Sequence, residues 1–167
     1  YSVSAHSTGA ESSLIDRGAN GGIAGSDVRV ISMSNRRVNV QGIDNHRMND
    51  IRVATAGGVI NTNFGDVVAI FHEYAYTGKG NSIHSAAQLE HFKHDVCDKS
   101  KMVGGKQRIK TFEGHVIPLA FKNGLPRLSV RPYTDDEWDN LPHVIMTSPN
   151  EWDPSVLDSP IEGEWFD

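Results

Sequence analysis

Alternation of apolar and polar residues with a period of two is the feature that most restricts the fold of this chain. It runs through DVRVISMS and RRVNVQGI, where the apolar positions are Val28, Val30, Val38, Val40 and Ile43. Successive side chains of a β-strand point to opposite faces, whereas a helix repeats every 3.6 residues. The pattern therefore predicts strands over this part of the chain.

Glycine pairs and an Asn-Gly pair divide the strand-like stretches. The segment IRVATAGGVINTNFGDVVAIFHEYAYTG, residues 51–78, predicts two or three strands, broken at Gly57-Gly58 and near residues 63–65. Asn123-Gly124 is the strongest turn signal, because both residues tolerate a positive φ.

One segment has helical spacing instead. In SIHSAAQLEHFKHDVCDKS the apolar residues Ala86, Leu89, Phe92 and Val96 recur three or four positions apart, and Ser85 precedes them as a candidate N-cap. A second signal, Thr134 followed by Glu137, has the spacing of a capping box and predicts a short helical turn. Many short strands and one clear helix predict a mainly β fold, a small β-barrel with one helix.

Charge divides the chain unevenly. Residues 134–167 carry ten of the 21 acidic side chains and no Lys or Arg, which leaves residues 1–133 with 16 basic and 11 acidic side chains. We expect a flexible leader over residues 1–11, one β domain over residues 12–133, and an extended acidic arm over residues 134–167 that carries Trp152 and Trp165. No apolar run is long enough to cross a bilayer.

The stretch SSLIDRGANGGIAG, residues 12–25, carries the main candidate site. Two apolar residues, Leu14 and Ile15, run directly into Asp16, and Gly18 follows two positions later. The residues alone leave two interpretations open: a tight surface turn, or a loop that presents Asp16 for chemistry.

Asp16-Arg17-Gly18-Ala19 resembles the active-site loop of aspartic proteases, in which the usual sequence is Asp-Ser/Thr-Gly-Ala. The ordered set of segments that follows, including the SIHSAAQLEHF helix, is similar to the protease segment of Ty1/copia-type retrotransposon polyproteins. The segments DRGANGGIAGSDVRVI and LPHVIMTSPNEWDPSVLD resemble sequences of copia-like elements of diatoms and related marine algae. The resemblance covers roughly residues 12–158.

This resemblance implies a retropepsin-like fold and a homodimeric aspartic endopeptidase that processes a polyprotein inside the cell, in the cytoplasm or within virus-like particles. Asp16 is the implied catalytic residue, and Arg17, Gly18 and Ala19 form the rest of the implied active-site loop. No cofactor, metal or membrane is implied. Because the chemistry needs two carboxylates that share a proton, one such loop per chain implies two chains.

The implied flap is residues 55–65, TAGGVINTNFG, which includes Gly57, Gly58, Val59 and Ile60. Two adjacent glycines would let this segment bend over a substrate. An ordinary hairpin is the alternative interpretation of the same residues.

Arg17 departs from the family pattern. A Ser or Thr hydroxyl accepts a hydrogen bond from the opposite loop, whereas a guanidinium has no acceptor and carries a permanent charge. Two such charges near a two-fold axis repel each other unless both turn away or pair with carboxylates. A catalytically inactive scaffold or assembly module of the same fold is therefore the alternative function.

Two weaker candidates remain. His91, His94 and Cys97 lie three residues apart on the predicted helix, but i and i+6 diverge by about 120°, so we expect an exposed polar face and not a metal site.

Lys106, Arg108 and Lys110 alternate along GGKQRIK and could contact phosphates, which makes a nucleic-acid-binding module the third alternative. No aromatic residue interleaves them, and a solvated strand face is the expectation that we favour.

Overall fold

The computed structural model describes residues 1–3, 12–42 and 47–158. Over these residues the chain forms twelve strands and two short helices and is mainly β. The elements are β1 Ser13–Asp16, β2 Ile23–Ala24, β3 Arg29–Gln41, β4 Arg47–Thr62, β5 Gly65–Tyr76, β6 Ile83–Ser85, α1 Ala86–His91, β7 Asp95–Cys97, β8 Arg108–Lys110, β9 Val116–Pro118, β10 Ala120–Lys122, β11 Leu125–Leu128, α2 Asp135–Asn140 and β12 His143–Ile145.

The strands form one large sheet and one small sheet. The large sheet runs in the order β10-β11-β1-β6-β2-β5-β4-β3, with β12 added beside β5, and the small sheet is β7-β8-β9. Over the described residues neither sheet closes on itself, so the structure confirms the mainly β fold and not the barrel. The main core lies between the sheets and α1, around Ile15, Phe71, Tyr74, Leu89 and Ile117.

The strand break predicted at Gly57-Gly58 is wrong. Both glycines lie inside β4, where Gly57 pairs with Ile70 and Gly58 with Ala69 on β5. A Cβ on Gly58 would overlap the Val130 side chain, so this glycine allows the segment after β11 to approach β4 closely. The predicted turn near residues 63–65 is confirmed, because β4 ends at Thr62.

The predicted long helix is also wrong in its extent. α1 ends at His91, and Lys93 adopts a left-handed φ of 68° that cannot continue a helix. Val96 then joins β7, where it pairs with Ile109 of β8. Pairing with a strand distant in sequence overrides the local helical spacing.

Two local predictions are confirmed. Thr134 and Glu137 form the full capping box at the start of α2. Asn123 and Gly124 form the turn between β10 and β11, with φ values of 54° and 78°. α2 is a second helix, whereas the sequence predicted only one clear helix.

Much of the predicted acidic arm belongs to the body of the molecule. β12 pairs in parallel with β5, and Met146 and Trp152 are only 0% and 5% exposed. Residues 159–167, including Trp165, lie outside the described residues.

The predicted leader is described only at residues 1–3, where Ser2 forms a parallel β-bridge with Gln41 of β3. The rest of the leader and Ile43 lie outside the described residues. Within the described part of the chain, no helix is long and apolar enough to span a membrane.

Candidate functional site

Asp16 is the last residue of a strand that lies deep in the large sheet. β1 is flanked by β11, which is antiparallel to it, and by β6, which runs parallel and aligns Asp16 with Ser85. Every residue of β1 is buried, and Asp16 itself is 7% exposed. The apolar strand therefore delivers a carboxylate to the edge of the core.

The chain turns sharply after Asp16. The Gly18 amide donates a hydrogen bond to Asp16 Oδ1 at 2.9 Å, and the Ala19 amide donates to the Asp16 backbone oxygen at 3.2 Å. The first contact is that of an Asx-turn, in which a carboxylate accepts from the backbone two residues later. Arg17 and Gly18 are exposed at the tip, whereas Ala19 is buried. The turn that the residues predicted is thus observed, with its tip exposed and Asp16 itself buried.

Residues at the start of α1 form hydrogen bonds with the segment that follows Asp16. Ser85 is the N-cap, and its hydroxyl accepts from the Gln88 amide at 3.1 Å while donating to the Ala19 carbonyl at 2.8 Å. Gln88 Oε1 in turn accepts from the Gly22 amide at 2.9 Å. Two buried side chains of α1 therefore fix both ends of the segment that follows Asp16.

Arg17 turns away from Asp16 and pairs within its own chain. Its guanidinium lies 2.7 Å from Glu90 of α1 and 3.1 Å from Asp98, and it also donates to the Val96 carbonyl at 3.3 Å. The hydrogen bond with Glu90 is the largest cause that raises the pKa of Arg17, followed among the favourable contacts by Asp98. The permanent positive charge of Arg17, which would repel a second copy near a two-fold axis, is thus paired with the carboxylates of Glu90 and Asp98.

The four residues predicted for the flap lie in the middle of β4. Gly57, Gly58, Val59 and Ile60 are all buried, and the Val59 amide donates to the Arg131 carbonyl at 2.8 Å. These residues are paired with β5 as well. Residues 55–65 thus end β4 and turn into β5, which is the hairpin of the alternative interpretation.

A second polar cluster lies beside β1, and the sequence interpretation missed it. Buried His84 is hydrogen-bonded through Nδ1 to the Tyr74 hydroxyl at 2.7 Å, and burial lowers its pKa to about 4. Burial also raises the pKa of Tyr74. Asp27 accepts hydrogen bonds from the hydroxyls of Ser13 and Ser82. No periodic signal marks these residues, because they come from separate strands and from the connections between strands.

The histidines and the cysteine considered for a metal site are separated by the end of α1. His94 Nε2 is 3.0 Å from the Ile145 carbonyl, and its Nδ1 accepts from the Phe112 amide at 3.0 Å. Both of its nitrogens therefore contact the backbone. Cys97 lies on β7 and is partly exposed. Among the described residues, no group of three or more His, Cys, Asp or Glu side chains could hold a metal ion.

The basic residues considered for phosphate binding do not form a uniform strip. β8 includes Arg108 and Lys110 but not Lys106. Arg108 forms a salt bridge with Asp95 at 3.2 Å, and its side chain is only 15% exposed. This pairing reduces the cation density that a phosphate backbone would meet.

Comparison of the chain with protein families, with curated proteins and with solved structures finds no match.

Proposed function

We propose that this protein is a homodimeric aspartic endopeptidase in which Asp16 of each chain supplies one of two catalytic carboxylates. The observation that carries the proposal is the position of Asp16, a carboxylate at the end of a buried strand, held by the Gly18 amide next to an exposed loop tip. The resemblance of residues 16–19 to the aspartic protease loop supports the same role.

The chemistry requires two such loops face to face. Two carboxylates a few ångströms apart share one proton, so that one acts as a base and the other as an acid. The ionised carboxylate takes a proton from water as the water oxygen attacks the peptide carbonyl, and the protonated carboxyl gives its proton to the carbonyl oxygen. Collapse of the resulting diol breaks the C–N bond, with a proton passing to the leaving nitrogen. The substrate class is an extended peptide segment of a polyprotein.

Arg17 is compatible with this dimer because its charge is already paired. A Ser or Thr at this position in the resembling family would contact the opposite loop, whereas Arg17 contacts Glu90 and Asp98 of its own chain. The loop is thus supported from within one protomer, by ion pairs and by Ser85 and Gln88.

The test is cleavage of a peptide library at mildly acidic pH, with and without pepstatin, together with sedimentation to measure the oligomeric state. We expect cleavage that pepstatin blocks, that Asp16→Asn abolishes, and that rises with dimer concentration. Asp136→Asn, an exposed carboxylate on α2, is the matched control and leaves cleavage unchanged. Cleavage that persists in Asp16→Asn, or a protein that stays monomeric at every concentration, would overturn the proposal.

The second candidate is a scaffold of the same fold without catalysis. The observation that favours it is the presence of Arg17, which has no hydroxyl at the position where the resembling family forms its contact between loops. Its guanidinium pairs instead with Glu90 and Asp98 of its own chain. The separation of the two Asp16 carboxylates in an oligomer distinguishes the candidates. Hydrogen-bonding distance favours the peptidase, and wide separation favours the scaffold.

A further inference from the structure

Residues 1–3 lie in a groove between the Asp16 loop, residues 16–22, and the edge of the large sheet. β3 is the last strand of that sheet, and the 1–3 segment adds to its outer edge as a short parallel strand. On its other side the segment meets Asn20, four residues after Asp16. The backbone of this segment is therefore contacted from two directions.

The backbone contacts alternate as they do in a strand inside a sheet. The nitrogen of Tyr1 donates to the Asn39 carbonyl at 2.5 Å, the Gln41 amide donates to the Tyr1 carbonyl at 2.7 Å, and the Val3 amide donates to the Gln41 carbonyl at 3.0 Å. Ser2 faces the opposite way. Its amide donates to Asn20 Oδ1 at 2.7 Å, and its carbonyl accepts from the Asn20 amide at 3.0 Å.

The side chains alternate as well. The Tyr1 ring lies against Gly21, where an added Cβ would come within 2.5 Å of Cγ, and the Tyr1 hydroxyl donates to the Glu73 carbonyl at 2.9 Å. Val3 packs against a buried apolar cluster that includes Ala19 and Val40. Ser2 points to solvent. The groove thus has an aromatic subsite and an aliphatic subsite two residues apart.

The walls of the groove are held by contacts that residues 1–3 do not make. The Trp152 indole donates to the Asn20 carbonyl at 2.7 Å, and its backbone amide donates to Glu73 at 2.9 Å. Arg36 forms a salt bridge with the same Glu73 carboxylate at 2.8 Å. Arg36 also interacts with Tyr1, but the contacts of Trp152 with Asn20 and Glu73 hold the walls without residues 1–3. Walls that are held in this way lose little entropy when a peptide enters the groove.

We propose that this groove is a binding site for an extended peptide with an aromatic residue two positions before an aliphatic one, and that residues 1–3 of the same chain occupy it. Backbone pairing with a sheet edge supplies affinity in such a site, and the pockets for alternate side chains supply specificity. Because the occupant is tethered, it competes at an effective concentration of roughly a millimolar, which blocks weaker peptides from solution.

The test empties the groove in the full chain. The double variant Tyr1→Ala/Val3→Ala is titrated into a fluorescein-labelled peptide with the sequence of residues 1–5, Tyr-Ser-Val-Ser-Ala, and binding is followed by fluorescence anisotropy. We expect the emptied variant to bind this peptide at least about tenfold more tightly than the unaltered chain does. A peptide with Ala in place of its Tyr and Val is the control and does not bind.

Two substitutions in the groove walls, each made in the Tyr1→Ala/Val3→Ala variant, test whether the peptide binds in the groove. Gly21→Ala closes the aromatic subsite and Asn20→Ala removes the side-chain acceptor for the Ser2 amide, so we expect each to abolish binding. Asn35→Ala, on an exposed part of β3, is the matched control and leaves binding intact. If Gly21→Ala does not fold, as judged by circular dichroism, Asn20→Ala decides the question.

Three results would overturn the inference: equal affinity of the peptide for the emptied and unaltered chains, binding that survives both wall variants, and a dimer of the unaltered chain that Tyr1→Ala disperses. The last result would mean that residues 1–3 occupy the groove of a second copy. Asp16→Asn in the emptied background should still bind the peptide, so the inference and the proposed peptidase can fail separately.

Discussion

Arg17 Nη1 lies 2.7 Å from Glu90 Oε1, which joins the tip of the Asp16 loop to helix α1 across 73 residues of sequence. Asp98 completes the arrangement on the other side of the guanidinium. The residue that departs most from the aspartic protease pattern is therefore the one that ties the loop to the rest of its own chain. The observed contacts of Arg17 join the loop to α1, Val96 and Asp98.

A double-mutant cycle measures this connection. The Arg17 side chain is half exposed, so we expect the coupling energy between Arg17→Ala and Glu90→Ala to be only about 0.5–1 kcal/mol in the free energy of unfolding. Chemical denaturation in low salt gives the value, and added salt should reduce it. An equal coupling between Arg17→Ala and Asp139→Ala, which forms no contact with Arg17, would contradict the assignment.

Ser85→Ala should destabilise the protein more than a usual N-cap substitution. It removes the cap of α1 and leaves the buried Ala19 carbonyl without its donor, so we expect a loss of about 1–3 kcal/mol in the free energy of unfolding. Ser100→Ala, at the cap of an exposed 3-10 turn over Lys101–Val103, is the matched control. Equal losses for the two variants, measured by urea denaturation, would contradict the role of Ser85 in holding the loop.

Trp152→Ala tests whether the predicted acidic arm is part of the body. The side chain is 5% exposed, and its indole also packs edge-on against His91, so we expect a loss of about 3–5 kcal/mol. Phe112, another aromatic residue but 69% exposed, is the control, and Phe112→Ala should change stability by less than about 0.5 kcal/mol. A melting temperature that is the same for both variants would mean that the arm does not dock.

His84 should make the fold less stable in acid. Its pKa falls to about 4 in the folded protein because it is buried, whereas the unfolded chain takes up the proton near the ordinary value of about 6.5. The contribution of neutral His84 to the free energy of unfolding is therefore fully present above pH 6.5. It declines between pH 6.5 and 4, by roughly 3 kcal/mol in total.

Chemical denaturation at pH 7 and pH 5 checks whether the free energy of unfolding falls as the pH falls. His84→Gln, which cannot titrate, should flatten the pH dependence, whereas Asn35→Gln, an exchange of uncharged residues at an exposed position of β3, should leave it unchanged. A steeper pH dependence in His84→Gln would show that the sign is wrong. The result also bears on the proposed peptidase, since acid that favours a shared carboxyl proton would weaken the fold.

Hydrogen exchange distinguishes a buried strand from a moving flap. Gly58, Val59 and Ile60 lie in β4, where they are buried and paired with β5, and the Val59 amide donates to the Arg131 carbonyl, so we expect their amides to exchange only on global unfolding. Met102, which is 95% exposed, serves as the reference for fast exchange. Fast exchange at Gly58 under native conditions would restore the flap assignment.

Local signals in the sequence determined the parts of this fold that depend on neighbouring residues. The period-two alternation predicted strands, Asn123-Gly124 predicted a turn with positive φ, and Thr134 with Glu137 predicted a capping box. Each of these preferences acts within about four residues, so no distant contact is needed to satisfy it. The link between Asp16 and an aspartic protease loop stays a prediction that the structure of one chain does not test.

Only the tertiary structure decided where those local preferences were overruled. Val96 left its helical spacing to pair with Ile109, and Gly58 continues a strand because β4 pairs with β5 through Ala69, while the lack of a Cβ leaves room for Val130. The hydrogen-bond partners of Arg17 and Trp152 are 73 or more residues away from them in sequence. Contacts over such separations depend on how whole strands pack and pair, and no short pattern in the sequence encodes them.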